Sequence, residues 1–221
     1  MIEIKEIKKC FRGKVPLASV SFTAESGQCI GILGKNGSGK STLLSILAGV
    51  LRADGGQFLL DGEDLLKNGK LHASSVGYIP QGMPLLEELT AWDNLLLWYD
   101  KKDLKKEIDN GVLKLLGIDE FIKVPVHKMS GGMKKRLSIG CAVAKKPQIL
   151  LLDEPSAALD LICKEQIAEY LRECKKNGNI LVLTTHDESE LSICDKWYIL
   201  KDGYLEEFAY SGDVRELTKR L

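Results

Sequence analysis

The chain has 221 residues, and its 31 Lys plus Arg balance 31 Asp plus Glu to a formal net charge of zero. That length allows one domain of mixed type with a real core, and the balanced charge argues against a dedicated nucleic-acid binder, which carries a basic surplus. No apolar run reaches the roughly 18 residues needed to span a bilayer.

The first residues, Met1-Ile2-Glu3-Ile4-Lys5-Glu6, alternate apolar and charged side chains, unlike a signal peptide. The chain is therefore expected in the cytoplasm, reaching any membrane through a partner. Cys10, Cys29, Cys141, Cys163, Cys174 and Cys194 form no C-x-x-C pair and have no histidine at metal spacing. Reduced, buried thiols are the expectation.

In chain order, alternation and β-branched residues predict strands at 2–11, 19–23 and 28–33. Phe11 closes the first of these, where a ring can stack on a base or join the core. The third runs into Gly34-Lys35-Asn36-Gly37-Ser38-Gly39-Lys40-Ser41, which fits G-x-x-x-x-G-K-[ST]. A helix is predicted directly after it, at 40–50. The glycines let the backbone curl so that successive N–H groups face phosphate oxygens. Lys40 adds a full charge, the Ser41 hydroxyl can ligate Mg²⁺, and the helix N-terminus favours an anion. Candidate nucleotide-binding residues here are Gly34, Asn36, Gly37, Ser38, Gly39, Lys40, Ser41 and Thr42.

Strands at 57–61 and 75–79 follow. Gln81 then offers a neutral amide able to ligate Mg²⁺ or orient water, or serves as a plain loop residue. Helices at 92–98, 104–116 and 131–145 dominate the middle. The last opens on Ser130-Gly131-Gly132, a capped, glycine-rich helix start and so a second candidate anion site. A strand at 148–152 delivers Asp153 and Glu154 to a sheet edge, where ligands bind. Asp153 is a candidate metal ligand and Glu154 a candidate general base. A helix at 161–175 and a strand at 179–184 lead to His186, which can hydrogen-bond a γ-phosphate or act as a turn residue. A helix at 188–193 and strands at 196–200 and 204–210 complete the pattern.

Strands dominate the first 80 residues, helices the stretch 85–147, and alternation returns over 148–221. The pattern predicts an α/β core with an antiparallel β part in front and a helical insertion. No internal repeat or low-complexity linker is present.

Taken together, these residues resemble the nucleotide-binding domains of ATP-binding cassette (ABC) proteins over essentially the whole chain. Lys40 lies in a Walker A motif, Gln81 in a Q-loop, and Met129-Ser130-Gly131-Gly132-Met133 in a signature. Asp153 and Glu154 match Walker B and its glutamate, Ser156-Ala157-Ala158-Leu159-Asp160 a D-loop, His186 the switch histidine and Phe11 the adenine platform.

The resemblance implies a P-loop NTPase (RecA-like) core that binds ATP, with Mg²⁺ held by Ser41, Gln81 and Asp153. Lys40, Glu154 and His186 would be catalytic. It also implies a head-to-tail dimer, of two copies or with a second ABC ATPase, in which Ser130 and Gly132 would bind the partner's γ-phosphate; Gly131 and Asp160 are further nucleotide-binding residues it implies. Met133 departs from the usual glutamine and Ala158 from a frequent glycine. Ser-Gly-Gly-Met followed by Lys134-Lys135-Arg136-Leu137 is similar to the exporter branch that includes daunorubicin-resistance ATPases.

The expected function is the ATP-hydrolysing subunit of a membrane transporter, with export favoured, peripheral on the cytoplasmic face and joined to separate membrane subunits. The stretch 85–98, with Trp92, Thr90, Asn94 and Trp98, is expected to form their groove, and Leu95, Leu96 and Leu97 mostly core. No nucleic acid is expected. The short end of the chain after 205–221 suggests no long regulatory domain. One alternative is a soluble ABC ATPase of DNA repair or translation, whose long coiled coils, zinc modules or paired cassettes are not seen. The other is a small-molecule P-loop kinase, which has no use for Ser130-Gly131-Gly132.

Overall fold

The computed structural model describes residues 1–210 and Gly212. Two strands, β1 (Ile2–Phe11) and β2 (Lys14–Ala24), pair antiparallel around a tight turn at Arg12-Gly13. β3 (Cys29–Leu33) runs into the phosphate-loop sequence and then helix α1 (Lys40–Leu47). β4 (Gly55–Leu60) pairs with the free side of β1, and the two-residue β5 (Glu63–Asp64) lies at the edge. Next come α2 (Gly69–Ser75), β6 (Val76–Ile79), and a helical stretch of α3 (Ala91–Leu95), α4 (Lys101–Asn110), α5 (Val112–Leu115) and α6 (Gly131–Ala142). β7 (Ile149–Asp153), α7 (Leu161–Lys176), β8 (Ile180–Thr184), α8 (Glu188–Leu191), β9 (Lys196–Lys201) and β10 (Tyr204–Phe208) complete the described chain.

The strands form one ten-stranded sheet in the order β5-β4-β1-β2-β10-β9-β3-β8-β7-β6. From β9 to β6 neighbours are parallel; β5, β4, β1 and β2 are antiparallel. Period-two alternation splits the parallel strands between two cores. Ile30, Ile32, Ile149, Leu151, Ile180 and Val182 share one with Leu43, Leu44, Ile46 and Leu47 of α1 and with Ile2, Ile4 and Phe58 of the antiparallel part. Leu150, Leu152, Leu181 and Leu183 face the other, with Leu137 of α6 and Ile167 and Leu171 of α7. Each such side chain stabilises the fold by about 1.5–3 kcal/mol. Helix α1 is thereby clamped between two sheet surfaces, which fixes the loop at its N-terminus.

Local differences from the sequence pattern have physical causes. β2 begins at Lys14 rather than at 19, because its pairing with β1 extends to Phe11↔Lys14 across positions where Pro16 breaks the alternation. Helix α2 has no apolar stripe to announce it; Asn68 caps it by accepting from Leu71 N–H at 3.1 Å. The predicted helix 104–116 is two helices broken at Gly111, whose backbone is extended. A Cβ there would fall 2.0 Å from Glu107 Oε2, and that carboxylate instead accepts Val112 N–H at 3.0 Å. Five cysteines are buried and Cys10 is exposed, all with free thiols. No helix among the described residues is long and apolar enough to cross a membrane. The far end of the predicted 148–221 part, Ser211 and 213–221, lies outside the described residues.

Candidate active site

The registers β3↔β8 and β7↔β8 align Ile32, Asp153 and Thr184 across the sheet. The segments leaving these strands, Gly34 onward, Glu154 onward and Thr185 onward, therefore emerge along one edge.

The loop after β3 depends on glycine where backbones meet. Gly34 has φ +155°, and a Cβ there would lie 2.6 Å from Ser38 Oγ and 2.7 Å from Leu200 O. Gly39 has φ +110°, and a Cβ would lie 2.7 Å from Pro16 O. Gly39 occupies the N-cap of α1 without a side-chain cap, so the first N–H groups of that helix keep their capacity for an anion. Lys40 is buried, and its ammonium donates to Gly34 O at 2.6 Å and Lys35 O at 3.2 Å. Burial lowers its pKa, opposed by the carboxylates of Glu154 and Asp153. Ser38 Oγ is buried with no hydrogen-bond partner, as expected of a loop built to receive one.

A cleft of about 700 Å³ opens over this loop. Asn36, Gly37, Ser38, Gly39, Lys40, Ser41 and Thr42 form its floor, and Gln81, Glu154 and Phe11 also line it. Phe11 is not core: 48% of it is exposed, and Lys9 Nζ sits 5.4 Å from its ring centroid. Lys14, Val15 and Pro16 of β2 and Asp202-Gly203 of the β9–β10 turn supply the rest. Those five residues carry no motif; only the sheet order, which sets β2 beside β10, brings them here.

Asp153 is buried and accepts from Thr184 Oγ at 2.6 Å. Glu154 has φ +47°, a left-handed backbone costing a non-glycine residue about 1–3 kcal/mol. Its N–H is held by Thr184 O at 3.0 Å and Thr184 Oγ at 3.2 Å. Gln81 Nε2 donates to Glu154 Oε2 at 3.1 Å. Glu154 also lines a second, smaller cavity of about 220 Å³ with Ser156, Thr185, His186 and Glu190. Burial and the Lys40 ammonium hold the His186 imidazole below its ordinary pKa, against a weaker pull from Glu154.

Ser41 and Gln81 line the cleft with oxygen donors of the kind a hard divalent cation such as Mg²⁺ takes; Asp153, the third candidate, does not line it, though its carboxylate is chemically suited to the same ion. Gln81 spends its nitrogen on Glu154, which leaves its amide oxygen for a metal.

The second predicted anion site stands apart: Ser130, Gly131, Gly132 and Asp160 do not line the large cleft. Ser130 caps α6, its Oγ accepting Met133 N–H at 3.2 Å. Ser130 and Gly131 are exposed and Gly132 is buried. A Cβ at Gly132 would sit 2.3 Å from Cys163 Sγ, so glycine there is required by contact with α7. Asp160 caps α7 by accepting Cys163 N–H at 2.9 Å. Ala158 has φ +59°, the conformation for which glycine is the ordinary choice.

The three cations after the signature each have a separate partner: Lys134 pairs with Glu87 at 2.9 Å, Lys135 donates to Pro80 O at 2.8 Å, and Arg136 to Leu116 O at 3.0 Å. Sequence reasoning assigned none of these contacts. Lys135 is buried, and desolvation pushes its pKa down to about 8 against Asp153, Glu190 and Glu154.

Known proteins resemble this chain in sequence and fold. The chain is 36% identical, over 91% of its length, to the Nod factor export ATP-binding protein I of Sinorhizobium fredii, of which it spans 60%. It is 35% identical, over 98% of its length, to a probable sulfate/thiosulfate import ATP-binding protein of Chlorella vulgaris, covering 93% of that protein. A dimeric ATP-binding cassette solved in a post-hydrolysis state with ADP and phosphate superposes with a TM-score of 0.84 at 26% identity, over 94% of this chain and 98% of that one. Residues 17–157 match the ABC transporter family. The chain belongs to that family, in which it is an ATP-binding ATPase cassette.

Proposed function

We propose that this cassette hydrolyses ATP in the cleft over Gly34–Ser41 and, as a dimer, drives transport through separate membrane subunits. The observation that carries the reading is Glu154: it lines the cleft with the phosphate loop, is tied to Gln81, and also lines the His186 cavity. In the division proposed, 1–80 supplies the antiparallel part and Walker A, 85–147 the helical part, and 148–221 the remaining core.

The adenine would stack on exposed Phe11. The triphosphate would follow the loop, with Asn36, Gly37, Ser38, Gly39 and Thr42 giving N–H or hydroxyl donors. Lys40 would exchange its carbonyl partners for phosphate oxygens. Ser41, Gln81 and Asp153 would hold Mg²⁺, which when bound neutralises phosphate charge. Glu154, with one oxygen engaged by Gln81, presents the other to water as general base. His186 would donate a hydrogen bond to the γ-phosphate. Ser130, Gly131, Gly132 and Asp160 would complete the site of a second cassette, a copy of this chain or a homologous ATPase.

Docking to membrane subunits would place the chain peripherally on the cytoplasmic face. The groove assignment changes in detail from the sequence reading. Asn94 is buried, with its amide fixed on Leu86 and Thr90, and Thr90 forms a capping box with Asp93. Leu95 is core, while Leu97 and Trp98 are 59% and 56% exposed. Met83, Leu86, Leu97 and Trp98 are therefore the proposed contacts. Export is the proposed direction, supported by the Ser130–Leu137 resemblance and the Nod factor export relative.

Glu154→Gln tests the assignment. Turnover should fall at least about a hundredfold, ATP affinity should hold, and light scattering should show an ATP-dependent dimer. Normal turnover by this variant would remove Glu154 from the mechanism.

A further inference from the structure

We propose that Lys135 is a positioning residue for hydrolysis: from the signature helix it anchors the turn that delivers Gln81 to Glu154. This rests on the assignment of Glu154 as general base.

The geometry forms a short relay. Lys135 lies on α6, in the second turn after Ser130, and is only 4% exposed. Its ammonium donates to the carbonyl of Pro80 at 2.8 Å. Pro80 follows directly on β6, and the next residue, Gln81, donates to Glu154 Oε2 at 3.1 Å. Two hydrogen bonds, joined through the Pro80–Gln81 peptide, thus link the helix that begins at the signature to a carboxylate lining the nucleotide cleft.

Burying an ammonium is costly unless it is paired, and an apolar side chain would fill the same space without that cost. Arg136 and Lys134, its neighbours, bond to Leu116 and Glu87, both within the helical stretch. Lys135 alone of the three reaches the end of a strand of the parallel sheet. The Q-loop turn contributes few other restraints of its own: 81–84 contain Gln-Gly-Met-Pro, and residues 81–84 are exposed. Loss of the Lys135 bond would free that turn, so Gln81 would no longer be held against Glu154. A shift of the signature helix would conversely pull on Pro80, which couples a partner's nucleotide at Ser130 to this chain's own Glu154.

The test compares Lys135→Met, which fills the space without a donor, with Lys135→Arg, which keeps a cationic donor. Wild type and Glu154→Gln are assayed beside them in the full chain. Steady-state ATPase, binding of a fluorescent ATP analogue, thermal midpoint and hydrogen exchange over 79–84 are measured. The expected result for Lys135→Met is an unchanged midpoint, analogue affinity and KM within threefold of wild type, at least a tenfold loss of kcat, and faster exchange over 79–84. Lys135→Arg should recover most of kcat and the protection. Wild-type kcat in Lys135→Met overturns the proposal. So does a parallel loss of midpoint, affinity and kcat, which marks a merely structural lysine, or an Arg variant that folds yet recovers neither turnover nor protection. Undiminished turnover by Glu154→Gln would instead condemn the reading of Glu154 on which the inference rests.

Discussion

Both α1 and α6 begin at glycine-rich N-termini, yet the two ends are built differently. The α1 end has no side-chain cap, lies at the floor of a cleft of about 700 Å³, and is joined by a buried lysine. The α6 end is already capped by Ser130 and presents Ser130 and Gly131 to solvent. A concave end with open donors holds an anion unaided. A self-capped, exposed end becomes useful against a phosphate carried on another body. In the proposed reading, the first end serves the chain's own nucleotide and the second that of a partner. The solved cassette with ADP and phosphate that superposes on this chain is dimeric.

The largest effect that would break this comparison comes from mixing two inactive variants. Lys40→Ala should disable the cleft. Ser130→Asp keeps a good N-cap and puts a carboxylate where the partner's phosphate would sit. Each alone should lose nearly all ATPase activity. Mixed, they should recover part of it, because a mixed dimer holds one site with intact Lys40 facing intact Ser130. No recovery on mixing would mean that Ser130 does not act across the dimer.

A smaller effect separates ligand contact from architecture within the signature. Gly132→Ala forces a methyl to 2.3 Å from Cys163 Sγ and should cost about 1–3 kcal/mol. Gly131→Ala meets nothing closer than Leu159 at 4.0 Å and should leave the thermal midpoint unchanged. A scan showing the two equally stable would mean that α6 and α7 are not in this contact.

This contrast also marks what the sequence could reveal. The phosphate loop is contiguous, so its eight residues carry their own geometry, and every one except Gly34 and Lys35 lines the cleft. The strands after which Glu154 and His186 emerge are apolar runs ending in polar residues, and those too were legible. The rest of the lining, Lys14, Val15, Pro16, Asp202 and Gly203, is assembled by strand order and leaves no local trace. Gly111 hid the break between α4 and α5 because the apolar spacing continues across it, while the cause, the Glu107 carboxylate, lies a turn earlier. The double use of Asp160 and Gly132 was likewise invisible, since a cap and a close helix contact look the same in sequence as a ligand-binding residue.

The smallest effect concerns His186, which sits between the two regions. Burial and Lys40 keep its folded-state pKa below the ordinary histidine value. The folded state therefore binds this proton less readily than the unfolded chain does. Whatever stability follows is complete above the unfolded imidazole pKa of about 6.5, and is lost as pH falls through the lower folded value. His186→Gln cannot titrate, so its thermal midpoint should fall less than that of wild type between pH 7 and pH 5. The difference should be small, because His186 is only partly desolvated and solvent screens its charge. ATP at the cleft should reverse the sign. A γ-phosphate against the imidazole favours its charged form, so saturating ATP in the Glu154→Gln background should move the inflection upward. An inflection unmoved by ATP would place the γ-phosphate away from His186 and remove that residue from the mechanism.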